Sequence, residues 1–173
     1  RAAKLAREFN VKYIIKGAGN EYQRINDIQN TFAKFIIPLN FPDAYDVEDP
    51  YDAEGISYAE LKHWELAPSN PSVLEKNNIS FCFTSADLKD KSVFLKNLRL
   101  AVKYGLTEKV ALKALTLNPA LFMNASSKIG SLKKDFFANF FISNKSIFEE
   151  DAFIMEHWVA GEPAIFSDIN APD

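Results

Sequence analysis

The chain is poor in the residues that would staple it, anchor it in a bilayer or bind polyanions. A single cysteine, Cys82, in 173 residues rules out an internal disulfide, so apolar burial has to hold the fold. No apolar run approaches the roughly 20 residues that a membrane-spanning helix needs, so no membrane partner is expected. The 20 Lys and Arg residues are scattered among 23 Asp and Glu, for a net charge of −3. A nucleic-acid surface needs basic residues gathered on one face, so nucleic acid is not an expected partner either. Internal repeats and low-complexity tracts are lacking. The opening residues, Arg1 to Phe9, carry no signal-peptide pattern and read as the tail of an amphipathic helix whose first turns lie upstream. They leave the compartment unknown.

What the chain has is a large apolar share, 47%, with 15 Phe, which points to one well-packed core. Val11 to Lys16 is a short β-rich run ending at the turn Gly17-Ala-Gly19. Asn20 is placed to cap a helix over 21–29, with Tyr22, Ile25 and Ile28 at helical spacing. Lys34 to Leu39 is apolar on both faces, as a buried parallel strand requires. Residues 40–56 form a long acidic loop. Ser57 and Glu60 make a capping box for a helix to Leu66. Pro68-Ser-Asn-Pro71 should break that helix before a short one over 72–76. Ile79 to Thr84 is the third strand. Asp90 caps a helix to Tyr104 with Phe94, Leu95, Leu98, Ala101 and Val102 on one face, and Gly105 stops it. Thr107 opens a further helix that should end before Asn118-Pro119. Beyond it, 129–132, 136–143 and 153–159 read as strands, with Gly161-Glu-Pro163 as a hairpin turn before 164–166. Alternating strands and helices over 11–116 predict a parallel sheet with right-handed crossovers.

Three segments carry a family resemblance: Ala111-Leu-Lys-Ala-Leu-Thr-Leu-Asn-Pro-Ala120, Lys128-Ile-Gly-Ser-Leu-Lys-Lys134 and Ala138-Asn-Phe-Phe-Ile-Ser143. In this order they resemble the C-terminal end of the amidohydrolase superfamily, near its imidazolonepropionase-like members. The resemblance implies an α/β fold. Residues 1–125 would supply strands 6–8 of a TIM-like (β/α)8 barrel, and 126–173 the C-terminal strands of a small composite β-sandwich domain. It also implies a metal-dependent hydrolase acting on non-peptide C–N bonds of a small-molecule substrate, a cyclic amide or a related compound. Zinc or another divalent metal would be the cofactor. The partners implied are the missing N-terminal half of the same protein and, through open sheet edges, further copies of the chain.

In a barrel the chemistry lies at the C-terminal ends of strands, here Lys16-Gly17, Leu39-Asn40 and Thr84 to Asp87. The family places a His after the sixth strand and an Asp after the eighth. This chain has Lys16-Gly-Ala-Gly19 at the first position and no His. At the second, Asp87 comes after Thr84-Ser85-Ala86, and it is the candidate catalytic and metal-ligating residue. Its plainer reading is a turn residue ahead of the Asp90 helix. His63 reads as a partly exposed helix residue and His157 as a surface residue of a strand; they are not spaced as a metal pair on one helix. Asp43, Asp46, Glu48, Asp49, Asp52 and Glu54 match a calcium loop in composition and lack its ligand spacing. Gly17-Ala-Gly19 before a helix has the look of a phosphate cradle without the third glycine of the fingerprint. Cys82, between two Phe in a strand, reads as a small hydrophobe. Two functions follow: a metal-dependent hydrolase of which this chain, alone, is inactive, or a non-catalytic binding or scaffold protein with a degenerate form of the fold.

Overall fold

The computed structural model describes residues 2–165. A first helix, α1 (Ala2–Glu8), buries none of its residues. Strand β1 (Ile14–Lys16) follows, then a 3-10 turn over Glu21–Arg24 that runs into α2 (Ile25–Gln29). Strand β2 (Lys34–Pro38) comes next, then α3 (Pro50–Glu54), α4 (Tyr58–Leu66) and α5 (Asn70–Lys76), then β3 (Phe81–Thr84). Helices α6 (Phe94–Lys103), α7 (Glu108–Leu115) and α8 (Leu117–Phe122) complete this part. The remaining strands are β4 (Phe140–Ser143), β5 (Ile154–Val159) and β6 (Glu162–Ile165).

The first three strands form a parallel sheet in the order β1-β2-β3, with Ile15 opposite Phe35 and Ile37 opposite Phe83. β2 is central and buries apolar residues of both faces: Ile36 partly and Pro38 fully on one, and on the other the core residues Phe35, Ile37 and, just past the strand, Leu39. They join Phe81 from β3, Leu74 from α5, Leu98 and Ala101 from α6, and Ala111 and Ala114 from α7 in one core. Phe94, Leu95 and Val102 pack against it from the predicted face of α6. The Ser57–Glu60 capping box is present, Thr107 caps α7, and Gly105 ends α6 at φ +100°.

Several boundaries differ from expectation. The acidic loop contains α3. Pro68 and Pro71 do not break the chain into loop; each falls in the first turn of a helical segment, where a missing N–H costs no bond. Asn118-Pro119 lies inside α8 for the same reason, and the break comes two residues earlier at Thr116 (φ −124°, ψ −75°). Asn20 makes no cap bond; the carboxylate of Glu21 takes the turn's N–H groups instead.

The last three strands form an antiparallel sheet in the order β4-β5-β6. Residues 129–132 are not a strand. Gly130 (φ +88°) turns the chain there, and the Phe137 N–H donates to the Lys128 carbonyl. The predicted strand over 136–143 shortens to Phe140–Ser143. The β5–β6 turn lies at Ala160-Gly161 (φ +53° and +89°), the primed turn that suits the twist of a hairpin. Pro163 is thereby in β6, an edge strand where its missing N–H is tolerated. Phe166 of the expected last strand lies outside the described residues.

Candidate functional site at the strand ends

Lys16 is the last residue of β1, Pro38 of β2 and Thr84 of β3, so their carboxyl ends open on the same side of the sheet. Beyond β2, the Asn97 amide donates to the Leu39 carbonyl at 2.6 Å and ties that end to α6. Beyond β3, a turn closes as the Leu88 N–H donates to Ser85 O (3.2 Å) and the Ala86 N–H to Thr84 Oγ1 (3.1 Å). That turn presents Asp87, and Lys16 Nζ donates to its Oδ1 at 2.5 Å. Lys16 ends β1 and Asp87 lies in the turn after β3, with β2 between the two strands, so Lys16 reaches across about two strand spacings, roughly 10 Å. The Lys16 side chain is 53% exposed and that of Asp87 32%. An ion pair this open contributes at most about 1 kcal/mol to stability. Its consequence is positional: a cation and a carboxylate are held together at the carboxyl ends of the parallel strands.

The Gly17-Ala-Gly19 turn carries a different load from the one its composition suggested. The N–H groups of Ala18 and Gly19 donate to Oε1 of Glu21 at 2.7 and 3.2 Å. Oε2 of the same buried carboxylate accepts from Asn70 Nδ2 at 2.6 Å, and Asn70 Oδ1 accepts from the Tyr22 N–H at 2.8 Å. The cradle is therefore filled by the protein's own carboxylate. A Cβ on Gly17 would come within 2.1 Å of Glu21 Oε1, which is why glycine stands there. Beside it an open cleft of about 370 Å³ is lined by Ile15, Gly17, Glu21, Arg24, Ile28 and Phe35.

The other candidates go separate ways. His63 on α4 is half-buried; its Nδ1 lies 3.0 Å from the Tyr22 hydroxyl, and the two rings stack 6.1 Å apart. His157 is an exposed residue of β5 between Phe141 and Ala164. In the acidic segment, Asp46 and Asp49 accept from the N–H groups of Glu48 and Tyr51, so these carboxylates serve local turns. Burial pushes the Cys82 thiol up, as for a core residue. The contacts missed by sequence reasoning are the Glu21–Asn70 pair and Lys16–Asp87. Both join residues about 50 or more positions apart, which no local pattern encodes.

No protein-family model matches the chain, and no curated protein matches it. Solved structures do. An amidohydrolase from Thermotoga maritima MSB8 superposes on 95% of this chain with a TM-score of 0.73 at 19% identity. A prolidase solved with N-methylphosphonate-L-proline matches 95% of it with a TM-score of 0.62 at 15% identity. A further amidohydrolase does so at 0.65 and 11%. The fold is therefore that of part of an amidohydrolase. The chain spans about two fifths of these proteins, 39%, 43% and 42% of their lengths.

The resemblance read from the sequence implies a divalent metal at the strand ends. The residues of this chain do not fit one by themselves. Asp87 already accepts from an ammonium group, and among the described residues no three His, Cys, Asp or Glu side chains gather as a metal site requires.

Proposed function

We propose that this chain is the C-terminal portion of a hydrolase of the amidohydrolase fold that cleaves a C–N bond in a small molecule, a cyclic amide or a related compound. The observation that carries this reading is the match of 95% of the chain to amidohydrolases, with Lys16 and Asp87 meeting at the carboxyl ends of the parallel strands. On this reading β1, β2 and β3 are the last three strands of a (β/α)8 barrel in residues 1–125. The sheet β4-β5-β6 belongs to the composite β-sandwich over 126–173. Zinc or another divalent metal is held by residues outside these 173, and the chain alone is inactive. Asp87 and Lys16 border the substrate as a proton-accepting carboxylate and a fixed positive charge.

A second reading is favoured by one contact. The Lys16–Asp87 pair satisfies the strand-end carboxylate internally, as would suit a binding or scaffold protein that has lost catalysis. The test is hydrolysis of a panel of cyclic amides by the longer protein and by its Asp87→Asn variant. The hydrolase reading expects turnover, with kcat lowered by about two orders of magnitude or more in the variant while its melting is unchanged. Saturable binding of panel compounds without turnover would support the scaffold reading.

A further inference from the structure

We infer that Lys16 excludes a divalent metal ion from Asp87, so that this end of the sheet works with an ammonium group where a metal would otherwise bind. The inference rests on the reading of Asp87 as a strand-end site residue and goes beyond it. Lys16 Nζ lies 2.5 Å from Asp87 Oδ1. A zinc ion bound to a carboxylate oxygen lies about 2.0–2.2 Å from it, so metal and ammonium compete for the same space. Binding at the other oxygen would leave the two cations a few ångströms apart, where like charges repel. A lysine ammonium offers donors and no lone pair, so it cannot join Asp87 as a second ligand. The ammonium keeps N–H donors beyond the one given to Asp87, and among the described residues no other acceptor contacts them. Those donors suit an oxygen of the substrate.

The test is titration of the 173-residue chain with Mn²⁺, counting bound ion by loss of the free-ion electron paramagnetic resonance signal. This works whatever the oligomeric state. Lys16→Met should bind Mn²⁺ about fivefold more tightly than the unaltered chain, because a like charge has been removed from beside the exposed carboxylate. The gain should vanish in Lys16→Met combined with Asp87→Asn, and Lys16→Arg should behave as the unaltered chain. Lys16→Gln replaces Lys16→Met if circular dichroism shows the latter unfolded. Equal Mn²⁺ affinity in all four proteins would overturn the inference, as would tight binding by the unaltered chain. Because the readout is metal binding, such a result is distinct from failure of the hydrolase reading, which is judged by turnover in Asp87→Asn.

Discussion

Glu21 shows how one residue can organise a loop. Its buried carboxylate accepts from two backbone N–H groups and from Asn70, so every partner is a donor. Glu21→Gln puts an amide N–H₂ against at least one of those donors. The expected loss is about 1–3 kcal/mol, the usual cost of an unpaired buried polar group, read as a lower denaturation midpoint at unchanged m-value. Gly17→Ala should cost a similar amount, because its Cβ would overlap Glu21 Oε1. The two changes touch one contact and should not add. The turn itself was legible in Gly17-Ala-Gly19. What fills it was not, because a loop that offers N–H groups looks the same whether it holds a ligand or a carboxylate from its own chain. The one usable signal was Glu21 in the first turn after the loop, where acidic side chains reach back to open N–H groups. At Cys82, burial raises the thiol pKa. Thiolate is therefore scarce in the folded chain, and alkylation at neutral pH should be slow until denaturant is added.

Two contacts between elements hold the molecule in order. Gly130 lies against the turn between α7 and α8. A Cβ there would come within 2.8 Å of Ala120 Cβ and 3.0 Å of the Thr116 carbonyl, at a φ of +88° that side chains other than glycine rarely adopt. The Thr-Leu-Asn-Pro-Ala and Ile-Gly-Ser-Leu segments that carried the family resemblance therefore pack on each other. Their joint occurrence has this physical basis, and Asn118 adds to it by donating to the Phe81 carbonyl at 2.7 Å. Gly130→Ala should lower stability by about 1–3 kcal/mol through strain and overlap together. The second contact is Arg99 on α6, whose guanidinium donates to the carbonyls of Ile147, Glu150 and Ala152 at 2.9, 2.8 and 3.0 Å. It anchors the β4–β5 connection, where Ile147 is buried and Phe148 packs on the main core. Arg99→Met should raise amide hydrogen exchange across 144–152 and leave the parallel sheet protected. In the same connection, hydrogen bonding from Lys145, with smaller help from the Lys145 and Arg99 charges, lowers the Asp151 pKa. A lowered folded pKa means stability that is present above the unfolded value and lost as pH falls through the folded one. Lys145→Met should move the Asp151 carboxyl titration, followed by NMR, back up towards the ordinary aspartate range. Strand periodicity and caps made most elements legible in the sequence. The Arg99 clamp was not, since a lone arginine on an amphipathic helix reads as a solvated residue.

At the scale of the molecule, a three-stranded parallel sheet leaves the outer edge of β1 unpaired among the described residues, with Phe9, Val11, Tyr13 and Ile14 exposed near it. The antiparallel sheet ends in β4 and β6, and Leu132 and Phe137 are exposed before it. Open strand edges beside apolar side chains favour association. The isolated chain should therefore sediment as oligomers, shifting towards monomer as its concentration falls; a stable, cooperatively melting monomer would count against the view that further strands of the same protein cover these edges. The fold class was legible because strand–helix alternation survives in the apolar pattern. The candidate site was only half legible: Asp87 could be named from its place after a strand, whereas its pairing with Lys16, 71 positions away, depends on how the strands are ordered in the sheet. The central claim is that these residues bring one strand-end carboxylate, already paired with Lys16, and cannot hold a catalytic metal alone. Its most direct test is the zinc content of the purified 173-residue chain after dialysis against a weak chelator. The account predicts far less than one zinc per chain; one tightly held zinc per chain, lost on Asp87→Ala, would contradict it.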